Sequence, residues 1–295
     1  LLIHRELVDG NTALKFNPSL IKVSAAVKDE LTVKCLKNMS IFAARKAVNC
    51  NLGEIDDIRD WMINYTLPVI DLGQRMFNYA ERKMLENPDT KKYLLDFCHN
   101  IGFNIVDIAV EKDYMPLTPE MIQFIKSSGQ LSDESVSKLS KDPKMPNGFK
   151  TDFMVSVINE RGKEIYTLPK NSQSEGTLRA MGIETALYEA KRNNKLLPID
   201  EIETSMHPLL LKYMIQSFLK TQSRSQLLLT THYDPLLAAV DDYLRKDSFW
   251  LIEKRDDGHS ELYPLISKNG VNKMRSLQRA YLNNKLGALP QITNI

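Results

Sequence analysis

Two carboxylates, Asp200 and Glu201, stand side by side at the end of the apolar run Leu196-Leu197-Pro198-Ile199. A short apolar run that ends in adjacent acids is how a buried parallel strand delivers carboxylates to the edge of its sheet, where ligands of α/β folds bind. Successive strand residues point to opposite sides, so one carboxylate can face a metal shell while its neighbour faces an attacking water. Mg²⁺ takes oxygen ligands and keeps several waters, so one strand-end Asp beside phosphate groups suffices. Glu201 would then orient or deprotonate the water. The same pair also fits a solvated strand end, and Glu203 reads as solvated or structural.

Three further groups bear on this pair. Ser174-Glu175-Gly176-Thr177 opens a helix-like run and would place a hydroxyl and unpaired backbone amides at a helix N-terminus, where phosphate is favoured. It also fits an ordinary N-cap, although Gly176 costs helix stability and implies a close approach of the backbone to something. A second apolar run, Gln226 to Thr231, ends in His232, placed to hydrogen-bond a terminal phosphate if its strand neighbours the Asp-Glu strand. Ser205-Met206-His207-Pro208 follows the carboxylates closely and is a candidate subunit contact. His4, His99 and His259 have no evident partners in the sequence, no Cys/His cluster has zinc spacing, and no Gly-x-Ser-x-Gly occurs. The 295 residues also contain no Gly-x-x-x-x-Gly-Lys-Ser/Thr. Asn147-Gly148-Phe149-Lys150-Thr151 lacks the first glycine and the Gly-Lys pair of such a loop and is rejected.

The elements that must position these residues alternate strand and helix from about 151 onward, which calls for a parallel α/β sheet. A hairpin is expected over Phe153–Ile158 and Ile165–Leu168, about Asn159-Glu160-Arg161-Gly162. Helix is expected over Ser174–Arg192, strand over 196–200, helix over Pro208–Leu219, strand over 226–231 and helix over Asp234–Leu244. Phe249–Ile252 and Leu262–Leu265 read as strands, and Lys273–Lys285 as a terminal helix. Upstream, residues 1 to about 23 read as strands around Val8-Asp9-Gly10-Asn11. A mainly helical lobe is expected over 24–150, with amphipathic segments at Glu54–Tyr65, Gln74–Met84 and Asp89–Ile101, a helix end at Gly102 and a strand at 104–110. Between 112 and 150, Pro116, Pro119, Pro143 and Pro146 bracket a polar, helical, insertion-like stretch.

A hydrophobic share of 43% and a charged share of 26% are those of a packed globular chain. The net charge of +2 excludes a globally basic nucleic-acid binder while leaving local patches open. Three cysteines, Cys35, Cys50 and Cys98, lack metal-like spacing and fit a reducing, cytoplasmic setting. No apolar run approaches the ~20 residues of a membrane span, and the first residues lack the layout of a signal peptide.

Taken together, Ser174-Glu175-Gly176-Thr177, Leu196 to Glu201, Ser205-Met206-His207-Pro208 and Leu229-Thr230-Thr231-His232 resemble the signature, Walker B, D-loop and switch-histidine motifs of ABC-class ATPases. The similarity is to the SMC-like branch of prokaryotic AAA-family ATPases, cousins of the ATPase half of OLD-family proteins, which includes the ATPases of anti-phage systems such as PARIS and the Rlo-type proteins. Arg245 to Lys254 and Tyr281 to Pro290 look like blocks of that branch, and Ile58 to Trp61 and Leu94 to Val110 fit more loosely. The resemblance is strong over 174–290 and weak over most of the rest.

The resemblance implies an ABC-ATPase-like α/β core, a parallel sheet plus an antiparallel β part, carrying an inserted helical lobe. Residues 1–23 would be the β part of the N-terminal half, 24–150 the lobe and 151–295 the C-terminal half. It implies ATP and Mg²⁺, with nucleotide sandwiched in a homo-dimer or higher homo-oligomer. Asp200 would hold Mg²⁺ through water, Glu201 would be the base and His232 the phosphate sensor. Ser174, Glu175, Gly176 and Thr177 would face the nucleotide bound by the partner subunit, and Ser205 and His207 would lie in the subunit-crossing loop.

Two departures stand out: Pro198 interrupts a strand normally aliphatic throughout, and the phosphate loop is absent. That loop is expected to precede Leu1, because the chain opens inside an apolar strand. The function implied is an ATPase whose cycle controls assembly with or release of an effector, a nuclease or toxin, in anti-phage defence, with nucleic acid or a phage protein as trigger. A non-hydrolysing scaffold or sensor that binds a partner protein or nucleic acid is the alternative. Direct nuclease action through Asp200, Glu201 and Glu203 would require a further acidic cluster for a second metal.

Overall fold

The computed structural model describes residues 1–127, 143–240 and 242–289. At the N-terminus β1 (Ile3–Val8) and β2 (Asn11–Phe16) form the expected hairpin, closed by Asp9 and Gly10, both at positive φ. Its apolar face packs with α1 (Ala25–Lys34), α2 (Ile41–Arg45) and the start of α3 (Glu54–Tyr65) around Ile21, Leu31, Val48, Leu52 and Ile55. Asp56, at the start of α3, fixes this unit by pairing with Arg45 at 2.9 Å and accepting the Leu52 N–H.

A second and larger core contains the candidate site. It joins α4 (Met76–Glu86), α5 (Pro88–Asn100), β3 (Ile105–Pro116) and β4 (Lys144–Asn159) with the elements that follow them. The strand expected at 104–110 is thus longer, and β4 pairs with it antiparallel from Lys144 onward, interrupted by register shifts at Ile105/Asp107 and Asp113/Tyr114. Between them lies α6 (Pro119–Ser127); the expected polar stretch over 128–142 falls outside the described residues. Asn147–Thr151 lies within β4, with Gly148 to Thr151 paired opposite Asp113 to Val110 and Asn147 at the register shift, so it forms no phosphate-binding loop. β4 runs through position 150 and continues into the expected hairpin with β5 (Gly162–Pro169), turned at Asn159 to Gly162.

The central helix is α7 (Glu175–Arg192), whose inner face buries Ala180, Met181, Ile183, Ala186, Leu187 and Ala190. It crosses α4 at Gly182, where a Cβ would stand 2.5 Å from the Met76 backbone carbon, so only glycine permits this approach. Next come β6 (Leu196–Ile199), α8 (Pro208–Lys220) and β7 (Gln226–Leu229), with β6 and β7 parallel as expected. Both strands stop short of the predicted ends, leaving 200–203 and 230–233 as sheet-edge loops.

The other edge of β6 explains Pro198. The Leu196 and Pro198 carbonyls accept from Leu67 and Ile70, and the Asp200 N–H donates to Ile70 at 2.8 Å, so residues 66–70 form a partial third strand. Lys195 and Ile199 face β7 instead. The donor that Pro198 lacks falls on the 66–70 side, where Pro68 also breaks the ladder and pairing is reduced to isolated bridges.

The C-terminal part is less helical than its sequence indicates. Asp234–Ala239 is a 3₁₀ turn rather than a helix to Leu244, because Pro235 opens it and Val240 leaves in extended conformation. β8 (Trp250–Lys254) and β9 (Ser260–Pro264) form a hairpin. The terminal helix, α9 (Leu277–Leu282), is only six residues long, capped by Ser276 and stopped by Asn283 and the left-handed Asn284. Leu237, Leu265, Val271, Leu277, Ala280 and Leu286 form its core.

Candidate functional site

The edge of the β6–β7 sheet brings together Asp200, Glu201 and His232. Thr230, just beyond β7, ties the two strand ends: its hydroxyl hydrogen-bonds an Asp200 carboxylate oxygen and accepts the Glu201 N–H at 3.0 Å. His232 Nε2 lies 4.0 Å from Glu201 Oε1, and its side chain is 87% exposed, so it is held loosely and faces solvent. Glu203 is committed elsewhere. One of its oxygens accepts the His232 N–H and the other the Thr231 hydroxyl, both at 2.7 Å. It therefore anchors the 230–233 loop and is a structural carboxylate. Glu201 has φ +45, a left-handed backbone that an L-residue adopts only when its surroundings hold it there.

The donor set fits a hydrated Mg²⁺ better than an all-protein cage. Asp200 keeps one carboxylate oxygen without a protein hydrogen bond, while no group of three or more His, Cys, Asp or Glu converges on a cation position among the described residues. An ion that retains its waters needs no more than this from the protein.

On the other side of the 201–207 loop lies the N-terminus of α7. Ser174 is its N-cap: Oγ accepts the Thr177 N–H at 3.0 Å and shares a hydrogen bond with the Thr177 hydroxyl. Ser174 and Glu175 are exposed, and Gly176 packs so tightly on the Ser205 carbonyl that a Cβ would overlap it. The close approach expected of Gly176 is thus made, within the protein, to the loop that follows the carboxylates. Ser205 itself is left-handed at φ +60. His207 caps α8, its Nδ1 accepting the Leu209 N–H at 3.2 Å, so its proton sits on Nε2 and its outer edge is exposed. A cleft of about 560 Å³ opens between these two helix starts and the end of α5, lined by Ile101, Phe103, Ser174, Thr177, His207 and Tyr213 among others. It lies on the Ser174 side of the loop, and neither Asp200 nor Glu201 lines it.

Thr230, which stands in the motif before His232 without a role of its own in the sequence, is joined at the site by Arg179 and Asp71. Arg179, one turn into α7, reaches the Glu201 carbonyl at 3.4 Å. Burial pushes its guanidinium below the usual arginine range, against the pull of Asp71, Glu201 and Glu203. Asp71 arrives with the partial strand beside β6. Its signal is present in the chain, since Leu67-Pro68-Val69-Ile70-Asp71 repeats the pattern of Leu197-Pro198-Ile199-Asp200.

Residues 56–239, more than half of the chain, match the model of the family described as "AAA domain, putative AbiEii toxin, Type IV TA system". The chain belongs to this family. All the candidate residues from Ser174 to His232 lie inside the matched span, as do Asp71 and Arg179. Membership in an AAA-domain family agrees with the ATPase-type α/β fold and with the nucleotide-binding class expected from the motifs. No curated protein matches the chain. No helix among the described residues is long and apolar enough to cross a membrane.

Proposed function

We propose that the chain is the acidic and signature-bearing part of an ABC-class, SMC/OLD-like ATPase that hydrolyses ATP with Mg²⁺. The observation that carries this reading is the junction of Asp200, Glu201, Thr230 and His232 at the ends of two parallel strands, one loop away from the capped N-terminus of an 18-residue helix. Mg²⁺, when bound with ATP, supplies charge neutralisation on the phosphates. Asp200 would hold a hydrated ion by the carboxylate oxygen that carries no hydrogen bond among the described residues, and Thr230 keeps the carboxylate in place. Glu201 orients the attacking water and accepts its proton. His232, at the solvent edge and beside Glu201, hydrogen-bonds the terminal phosphate. Ser174, Glu175, Gly176 and Thr177 offer a helix N-terminus to nucleotide held by a second copy, with Ser205 and His207 at that contact.

The biological setting we assign is an anti-phage or toxin–antitoxin system, in which the nucleotide cycle controls engagement of an effector nuclease or toxin in the cytoplasm. The family description names a type IV toxin–antitoxin system and supports that part of the setting. Within the division 1–23, 24–150 and 151–295, the segment 24–150 is the part assigned to partner choice, although its residues from Ile70 onward share the core of the α7–β6 half. The non-hydrolysing scaffold remains the second reading, favoured by the lack of a Gly-x-x-x-x-Gly-Lys-Ser/Thr in these residues. Mg²⁺-dependent ATP turnover by the protein, and its loss in Asp200→Asn, separates the two. Turnover that is absent, or unchanged by the substitution, contradicts the ATPase reading.

A further inference from the structure

Arg179 occupies an unusual position between the two halves of the candidate site. It belongs to the first turns of α7, five residues after the Ser174 cap, yet its guanidinium points to the Glu201 main chain. The bond to that carbonyl is long at 3.4 Å, and Nε is buried with no hydrogen-bond partner. The group therefore has donor capacity in reserve. Three carboxylates act on it from three segments: Asp71 beyond the partial strand, Glu201 at the end of β6 and Glu203 in the following loop.

These acids are tied down unequally. Glu203 is held by His232 and Thr231, whereas the Glu201 carboxylate accepts no hydrogen bond among the described residues and has His232 4.0 Å away. The Glu201 backbone is also the strained one, at φ +45. A left-handed glutamate costs on the order of 1 kcal/mol and needs its neighbours to hold it. The Thr230 hydroxyl holds the amide side of this residue, and its carbonyl accepts the Thr204 N–H at 3.1 Å together with the longer bond from Arg179.

We propose that Arg179 is a positioning residue for the base: it holds the left-handed Glu201 peptide and balances the surrounding acids. This deepens the ATPase reading and rests on it. A planar guanidinium presents several donors in a fixed fork, which an ammonium does not reproduce.

The test compares ATP turnover, affinity for a fluorescent ATP analogue in Mg²⁺ and melting temperature in the wild type, Arg179→Met and Arg179→Lys. Arg179→Met should lower kcat about 30- to 100-fold, as expected for a misplaced base, with analogue affinity nearly unchanged. Arg179→Lys should recover part of the loss. Wild-type kcat in Arg179→Met, or an affinity loss as large as the turnover loss, overturns the proposal. If Arg179→Met folds poorly, Arg179→Lys decides: reduced kcat at unchanged affinity and melting temperature supports the role, and wild-type kcat overturns it. A wild type that does not hydrolyse ATP instead sinks the ATPase reading, and this role with it.

Discussion

The Cα of Gly176 sits against the carbonyl oxygen of Ser205, close enough that any side chain at position 176 would overlap that backbone atom. The first turn of α7 and the loop that follows the paired carboxylates are therefore one mechanical unit. Two opposing effects bear on Gly176→Ala. Alanine is favoured over glycine in a helix by about 1 kcal/mol, but overpacking against backbone costs about 1–3 kcal/mol. The clash involves a carbonyl that cannot rotate away, so it wins. Gly176→Ala should melt lower and lose turnover, whereas alanine at the neighbouring, exposed Glu175 should leave the melting temperature unchanged. Calorimetry and an ATPase assay on the two variants check this.

Thr230→Val removes a hydroxyl that hydrogen-bonds the Asp200 carboxylate and accepts the Glu201 N–H, while keeping the shape of the side chain. Hydrogen bonds to charged groups contribute about 1.5–3 kcal/mol. Asp200 should hold the ion less well, so the Mg²⁺ concentration giving half-maximal turnover should rise by roughly tenfold. A titration with Mg²⁺ at fixed ATP reads this directly.

Glu184 provides a pH signature remote from the site. It is buried between α5 and α7, where it accepts the Tyr93 hydroxyl, and Lys191 also donates to Tyr93, at 3.0 Å. Burial raises its carboxyl above its ordinary value of 4.5, against the Tyr93 hydrogen bond and Lys191. With a folded-state value above the unfolded one, its stabilising contribution is complete below about 4.5 and is lost as pH rises through the folded value. Glu184→Gln keeps an acceptor for Tyr93 and removes the titrating carboxyl. It should melt about 2–4 °C higher at pH 7, with the difference shrinking as pH falls toward 4.5. Melting curves across that range check the sign.

Much of the site was legible because its strands are short, apolar and ended by chemistry. Leu196–Ile199 stops at two acids and Gln226–Leu229 at two threonines and a histidine, and the structure makes them parallel neighbours. Helix α7 was legible from its three-and-four spacing and its serine cap. Prolines hid the rest. Pro116 pairs with Lys144 at the end of the β3–β4 ladder, and Pro146 follows a register shift, so both are tolerated in strand positions where a breaker was expected. Pro68 disguised the partial strand that carries Asp71. Arg179 was hidden for another reason: on a helical wheel it is an ordinary flank residue, and only the fold shows that it meets Glu201.

The role of Glu201 as base is the centre of the account, and Glu201→Gln tests it most directly, because the amide preserves size and one acceptor oxygen but cannot serve as the base. ATP binding and steady-state hydrolysis should be measured side by side on the wild type and this variant. The account predicts nucleotide affinity within about twofold of wild type and a fall in turnover of about 10²–10⁴, the range of general-base catalysis. Undiminished turnover in Glu201→Gln would contradict it.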